Sequence, residues 1–377
     1  MTGSCVRRAA TAVILVAASA MLLLSGPCPG PIFDARAASM PHTVATFSCV
    51  GFDPETGDLG VIVQSRFFAV GSVVPWARAD EGAIATQASA NTTYGPQGLD
   101  LLAAGKSADE VLQALTAPDS LRARRQVGIV DAKGRAATYT GKDCMAWAGG
   151  VSGRSFAAQG NILVGEATVN AMADAFQNTK GMLGDRLLAA LDAGQAAGGD
   201  SRGMQSAALL IVRTNGGYNG LNDRYCDLRV DDAKNPFAEL HRLYNIWKPN
   251  ALVTEGYARV EKKEFDRAYA MGREAVALQP KVGEYRYHLA CYLSRGGEKE
   301  EALKTLQEAL RLQPALAKQA GSDPDLVPLK EDARFGRVLE AATKAATQSA
   351  PKPTAPKSPA PGKKTPPQPP KIRLNER

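Results

Sequence analysis

Residues 46–89 read TFSCVGFDPETGDLGVIVQSRFFAVGSVVPWARADEGAIATQAS. Phe47, Cys49 and Gly51 alternate with Ser48 and Val50, the period of a β-strand. The Asp53-Pro54-Glu55-Thr56-Gly57-Asp58 run is a turn, because proline presets one φ and glycine supplies a positive one. Gly60 to Ser65 then returns as the second strand of a hairpin. Gly82 opens a third, small-residue strand, GAIATQAS. Two features are odd for a plain core hairpin. Thr46 and Ser48 put hydroxyls on one face of the first strand. Polar Gln64, Ser65 and Arg66 close an apolar strand just before Phe67 and Phe68.

The chain beyond alternates hairpins with helices. Asn91 to Tyr94 is a polar loop, and Leu99, Leu102 and Ala103 give a short helical face ending at Gly105. Ser107 with Glu110 forms a capping box ahead of Val111, Leu112 and Leu115. Gln126 to Asp131 and Arg135 to Thr140 are strands about the turn at Asp131-Ala132-Lys133-Gly134. Residues 144–155 read as a Gly-rich loop, and Phe156 to Val164 as a strand containing Gln159-Gly160-Asn161. Val169, Met172, Ala173 and Phe176 form one helical stripe; Leu183, Leu187, Leu188 and Leu191 form another. Ser206 to Arg213 and Tyr225 to Val230 are strands, and Asn235 with Pro236 opens a further helix. Strands in hairpins with helices in pairs argue for an α+β domain of stacked antiparallel sheets flanked by helices.

Several of these stretches, in order, resemble a known family. They are FDPETGDLG, FFAVGSVVPWA from Phe67, ATQA from Ala85, YGPQGLDLLAAG from Tyr94, QGN from Gln159, LLAALDAGQAAGGDSRGMQSAALL from Leu187 and GLNDRYCDLRVDD from Gly220. Together they resemble the domain-of-unknown-function family DUF 1028, which is placed in the N-terminal-nucleophile (Ntn) hydrolase superfamily. The likeness spans residues 46–247. It implies a four-layer αββα sandwich and no defined reaction.

Length, charge and cysteines bound the rest. At 377 residues with a net charge of +7, the chain has room for two domains and tails. The tail from Ser349 carries +6 and the leader to Ala37 carries +2, leaving −1 for everything between. A nearly neutral folded part excludes a nucleic-acid surface. Cys49, Cys144, Cys226 and Cys291 are far apart without CxxC spacing, so they read as free core thiols and no zinc site is expected. His42, His241 and His288 are the only histidines. A Ser-His-Asp triad or a histidine-rich metal site is therefore hard to build. No cofactor motif is present.

Arg7-Arg8 followed by Ala9 to Leu24, with Ala35-Arg36-Ala37 as cleavage site, reads as a secretory signal over residues 1–37, pointing to a periplasmic or secreted protein. An uncleaved membrane anchor is the lesser alternative, because the run is short for a span. Lys248-Pro249-Asn250 reads as the next boundary. Beyond it Ala268, Ala275, Leu278, Gln279 and Pro280 recur 34 residues later as Ala302, Ala309, Leu312, Gln313 and Pro314. That period resembles the tetratricopeptide repeat and predicts helical hairpins over residues 251–345, with a capping helix over 325–339. They serve as a docking site for a protein partner or as a structural extension; the sequence does not decide. Residues 349–377 alternate proline with lysine and small residues, a disordered tail whose lysines could touch an anionic cell-wall polymer.

An N-terminal nucleophile needs no histidine, since the hydroxyl of a first-residue Thr attacks and its own α-amine is the base. By the resemblance Thr46 is that residue, with Ser48 and Arg66 beside it. Arg66 stands where the family usually has lysine, and a guanidinium cannot accept a proton. Gln64, Ser65, Asn91, Tyr94, Gln159, Asn161, Asn222, Asp223 and Arg224 are the expected contacts to a small-molecule or peptide substrate. Each has a plainer role as strand residue, loop tie or helix cap. The alternative function is a non-catalytic scaffold of the cell envelope.

Overall fold

The computed structural model describes residues 46–349. The leader and the Pro/Lys-rich tail lie outside these residues. The hairpin forms as its sequence dictates: β1 (Thr46–Phe52) pairs antiparallel with β2 (Leu59–Ser65), Thr46 opposite Ser65 and Phe52 opposite Leu59. Gly57 takes φ 80° in the turn, the left-handed region that favours glycine. β3 (Pro75–Arg78) and β4 (Gly82–Ala88) follow, then α1 (Tyr94–Ala103) and α2 (Ala108–Thr116). The capping box is present, with the Ser107 side chain accepting from the Glu110 N–H. Next come β5 (Arg125–Asp131), β6 (Ala136–Thr140), β7 (Gly149–Gly153) and β8 (Phe156–Asn161). α3 (Ala167–Asn178), α4 (Leu183–Ala196), β9 (Ser206–Val212) and β10 (Arg224–Val230) complete this part.

The strands make a six-stranded sheet, β10-β9-β2-β1-β8-β7, and a four-stranded sheet, β3-β4-β5-β6. Val50, Val61, Val63 and Leu210 of the large sheet meet Ala83, Ala85 and Val130 of the small one. On the other face of the large sheet Phe47, Cys49, Ile62 and Leu209 pack under Met172, Phe176, Leu187 and Leu191 of α3 and α4. On the other face of the small sheet Ile84, Val127 and Ile129 pack under Leu99, Val111 and Leu115 of α1 and α2. The central strands β1, β2, β4, β5 and β9 thus send odd and even positions to different cores, the consequence of their two-residue period. Cys49, Cys144, Cys226 and Cys291 are free thiols. Burial pushes the Cys49 thiol well above its usual range, so it stays neutral.

Two strands escape a reading of the sequence. β3 begins on Pro75 and β7 lies within the Gly-rich stretch; both are sheet edges. Proline at the start of an edge strand needs no ladder donor, and glycine there carries no strand signal of its own.

α5 (Pro236–Glu261) corrects the expected boundary at Lys248-Pro249-Asn250, because one helix runs straight through it. Proline in a helix interior deprives the carbonyl four residues back of its donor. Here that carbonyl is Asn245 O, and the Gln279 side-chain amide donates to it at 3.2 Å. Lys248 is buried in the middle of the helix, and its ammonium donates to Asp185 at 2.7 Å and to Glu274. Limited chymotryptic digestion of the native protein should therefore leave the Trp247–Lys248 bond uncut. Mass analysis of the early fragments checks this, and prompt cleavage there would mean that α5 opens locally.

α6 (Phe265–Leu278), α7 (Gly283–Gly296) and α8 (Lys299–Leu312) follow as antiparallel neighbours, then α9 (Ala317–Ser322) and α10 (Ala333–Ser349). Their core is built on Ala268, Tyr287, Leu289, Ala290, Leu293, Ala302 and Leu306. The capping helix expected over 325–339 is instead a 3₁₀ turn, Pro324–Leu329, followed by α10. Among the described residues no helix is long and apolar enough to cross a membrane.

Candidate functional site

Where β1 begins, polar side chains replace the apolar ones between the two sheets. The inward-facing positions are Thr46 and Ser48 of β1, Ser65 of β2, Gln87 of β4, Gln126 of β5, and Gln159 and Asn161 of β8. All are fully buried. The register explains the meeting: Ser65 and Asn161 stand opposite Thr46 on its two sides, Gln159 opposite Ser48, and Gln87 opposite Gln126.

Buried polar groups are costly unless bonded, and most of these are. The Thr46 hydroxyl donates to Ser65 Oγ at 3.1 Å. Ser48 Oγ donates to Gln87 Oε1 at 2.7 Å and accepts from Gln159 Nε2 at 2.7 Å. Gln87 Nε2 donates to Gln126 Oε1 at 2.9 Å and to Thr46 O at 3.4 Å. Asn161 Nδ2 donates to Gln126 Oε1 at 2.9 Å, and Gln126 Nε2 reaches Thr140 Oγ1 at 2.9 Å and Gly160 O at 2.7 Å. Gln159 fits because Gly128 faces it: a Cβ on Gly128 would lie 2.0 Å from Gln159 Oε1. Two acceptors remain without a donor, Gln159 Oε1 and Asn161 Oδ1. Each buried unsatisfied group costs about 1–3 kcal/mol.

The chain leaves the site under strain. Ala88, directly after Gln87, has φ 63°, and Ile162, directly after Asn161, has φ 55°. A β-branched residue in the left-handed region is a true outlier, and such strain of about 1–3 kcal/mol concentrates at functional sites. Ile162 is held there from both sides: its N–H donates to Met145 O, and its carbonyl accepts from the Ser201 N–H and hydroxyl.

Of the residues expected at a site, Thr46, Ser48, Ser65, Gln159 and Asn161 come together. Gln64 and Arg66 do not join them. Gln64 stands opposite Phe47 and shares its helix-side face, where its amide lies 3.5 Å from Gly203 O. The exposed Arg66 donates to Arg202 O at 2.8 Å, with its backbone held by Asp200. Alternation along β2 sends Ser65 inward and its two neighbours away. Asn222, Asp223 and Arg224 lie at the other end of the sheet, since Arg224 and Leu59 both pair with Val212. Six residues of strand separate that row from Thr46, on the order of 20 Å. Asp223 Oδ2 accepts from the Ala79 N–H at 3.1 Å, and Arg224 pairs with Asp227.

Asn91 and Tyr94 belong to a neighbouring cluster behind β4 and β5. Tyr94 Oη donates to Asp119 at 2.7 Å, Arg125 Nε donates to the same carboxylate at 2.9 Å, and Asn91 Nδ2 lies 3.5 Å from it. Burial alone would raise the Asp119 pKa, but hydrogen bonds from Arg125, Tyr94 and the Leu121 N–H outweigh it and hold the carboxyl well below its usual range. A depressed folded-state pKa gives stability that is present above the unfolded value and lost as pH falls. Asp119→Asn should lower stability at pH 7 and flatten the acid limb of the melting-temperature profile below about pH 4. A limb as steep as in the native protein would show that another carboxylate governs acid unfolding.

Gln87 and Gln126 escape a reading by motif, yet strand parity shows them. Gln87 follows inward-facing Ala83 and Ala85 by twos, and Gln126 precedes Gly128 and Val130 by twos.

Residues 46–240 match the family model described as "Family of unknown function (DUF1028)", more than half of the chain. The chain belongs to this family. The match ends inside α5, so α6 to α10 lie beyond it. A solved DUF1028 relative is the crystal structure of protein SPO2555 from Silicibacter pomeroyi, 33% identical, with a TM-score of 0.49; the likeness covers 53% of this chain and 84% of that one. No curated protein matches the chain.

Proposed function

We propose that this DUF1028 protein is an exported amide-bond hydrolase of the N-terminal-nucleophile type, active once Thr46 is its first residue. The carrying observation is Asn161 Oδ1. It is buried, has no donor, and sits on the residue directly opposite Thr46 across the β1–β8 ladder. An α-ammonium freed at Thr46 is a donor at that place on the ladder. In the neutral form the amine takes the proton from the Thr46 hydroxyl as its oxygen attacks the amide carbonyl. The proton passes to the leaving amine, and water then cleaves the ester left on Thr46. An α-amine titrates near ~8, so a useful fraction is neutral at working pH. Ser48 is not the nucleophile in this reading, because its proton is committed to Gln87.

Two face-packed antiparallel sheets with helices outside them support the four-layer αββα sandwich of such enzymes. The leader supports export. Paired helices with a 34-residue sequence spacing support a tetratricopeptide-like region, which would take a protein partner. The lysine-rich tail would touch an anionic wall polymer. A second reading, a non-catalytic envelope scaffold, is favoured by the complete burial of Thr46 and Ser48 in a network that ties the sheets together.

The test is a pair of purified forms, one beginning at Thr46 and one at Ala38, assayed on a panel of chromogenic amides and peptides. Hydrolysis by the Thr46 form alone is expected. Equal rates from both forms, or none from either, would leave the scaffold reading.

A further inference from the structure

The turn between β1 and β2 reaches the helices beyond the sheets and closes a cavity there of about 200 Å³. The turn supplies Asp53, Glu55 and Asp58; the start of α4 supplies Met182 and Asp185; β9 is continued by Arg213. The far wall is Leu252, Glu255 and Arg259 of α5 with Arg267, Met271 and Glu274 of α6. Six carboxylates face three guanidinium groups in this lining. Lys248, bonded to Asp185 and Glu274, still leaves negative charge in excess.

Most of the charge is paired around the rim. Arg213 holds Asp58 at 2.5 and 2.8 Å and also Glu255. Glu55 receives Arg259 at 2.8 Å and Arg267 at 2.5 Å. One donor is left over: Arg259 Nε has no acceptor, although the Arg259 side chain is only 8% exposed. The charge itself is paired, by Glu55 and by Glu264 at 3.0 Å, but a buried N–H without an acceptor is costly. It asks for an oxygen acceptor from whatever fills the cavity. The carboxylate excess asks for positive charge on the same molecule. Leu252, Met271 and Met182 offer apolar wall to a short methylene chain. A metal ion does not fit this demand, since an ion brings no acceptor for Arg259.

We propose that the cavity binds a free basic amino acid, of the lysine, ornithine or arginine class. Its carboxylate takes the Arg259 Nε–H, its methylenes lie along Leu252 and Met271, and its cationic groups face the carboxylates of the turn and of α6. The site joins the family domain to the helices beyond the family match, so it belongs to this chain's own architecture and does not depend on the hydrolase reading. A ligand there bridges both parts and stabilises the folded state by mass action.

The test is calorimetric titration and thermal melting of the full-length protein with L-lysine, L-ornithine and L-arginine. Norleucine lacks the side-chain cation, cadaverine lacks the carboxylate, and glutamate reverses the charge. The basic amino acids should raise the melting temperature and bind about tenfold or more tighter than norleucine or cadaverine, as expected for loss of one charged hydrogen bond. Met271→Trp, which fills the cavity, should abolish binding. Glu274→Gln, at a solvent-facing position, should weaken lysine binding several-fold while the protein stays folded, and it carries the test should Met271→Trp fail to fold. Absence of binding by all three basic amino acids would overturn the proposal. So would equal binding of norleucine or cadaverine, or unchanged affinity in a folded Met271→Trp or in Glu274→Gln.

Discussion

Thr46→Ala, made in the form that begins at residue 46, should lose amide hydrolysis by roughly 10³-fold or more while remaining folded. The rate effect is large because the hydroxyl is the attacking atom and no neighbour can replace it. The stability effect is small because the hydroxyl's hydrogen bond to Ser65 joins two neutral groups, a contact worth about 1 kcal/mol. Thr46→Ser keeps the hydroxyl and should keep most of the rate. Ser48→Ala should do the reverse. It strips Gln87 Oε1 and Gln159 Nε2 of their shared partner, costing about 1–3 kcal/mol with the chemistry intact. Turnover and urea unfolding of the three variants separate the two hydroxyls. Full activity in Thr46→Ala would remove the N-terminal-nucleophile mechanism.

Arg213→Ala carries the largest expected stability loss. The guanidinium is held bidentate by Asp58, bonded to Glu255, and laid over the Tyr225 ring at 4.1 Å from its centroid. Asp58 and Glu255 are 2% and 7% exposed, so removing the cation strands two carboxylates out of water. Breaking a buried pair this way costs about 3–5 kcal/mol. The pH dependence has a definite sign. Burial already raises the Asp58 pKa above its usual value despite Arg213, and losing the cation raises it further. A carboxyl with a raised folded-state pKa binds protons more readily when folded, so its contribution is favourable at low pH and fades as pH rises through that pKa. The defect should therefore be greatest near pH 7 and shrink toward about pH 5. Adding Asp58→Asn and Glu255→Gln to Arg213→Ala should recover much of the loss. A defect independent of pH would assign the cost to lost packing on Tyr225 rather than to stranded charge.

Much of this was legible in the residues, and the exceptions have physical causes. The DPETGD turn, the Ser107–Glu110 box and the Asn235-Pro236 helix start rest on local chemistry that no distant contact overrides. The Gly149–Gly153 edge is different, because its pairing is decided by β8 and not by its own side chains. Polar Gln64, Ser65 and Arg66 look like one cluster in the sequence, but strand alternation sends Gln64 to the helix side and Ser65 between the sheets, and Arg66 past the strand end is exposed. Asn222 to Arg224 resembled a site by motif, whereas only register could show that they sit a full strand away. Lys248-Pro249-Asn250 reads as a boundary between domains, and the amide that satisfies the Asn245 carbonyl left without a donor by Pro249 comes from Gln279, far along the chain.

The unbroken α5 sets a rotational phase. A helix advances about 1.5 Å and turns about 100° per residue. One residue added between the sheet-packed Tyr244 and the junction residue Glu255 would swing α6 to α10 through roughly that angle. Lys248–Asp185, Glu255–Arg213 and Arg259–Glu55 could not all re-form at the new phase. Seven added residues would come nearly back into phase, yet would displace the helices by about 10 Å. The spacing along α5 thus works as a gear ratio between the DUF1028 domain and its helical appendage. A chimera that exchanges either part must conserve that tooth count or lose the mesh.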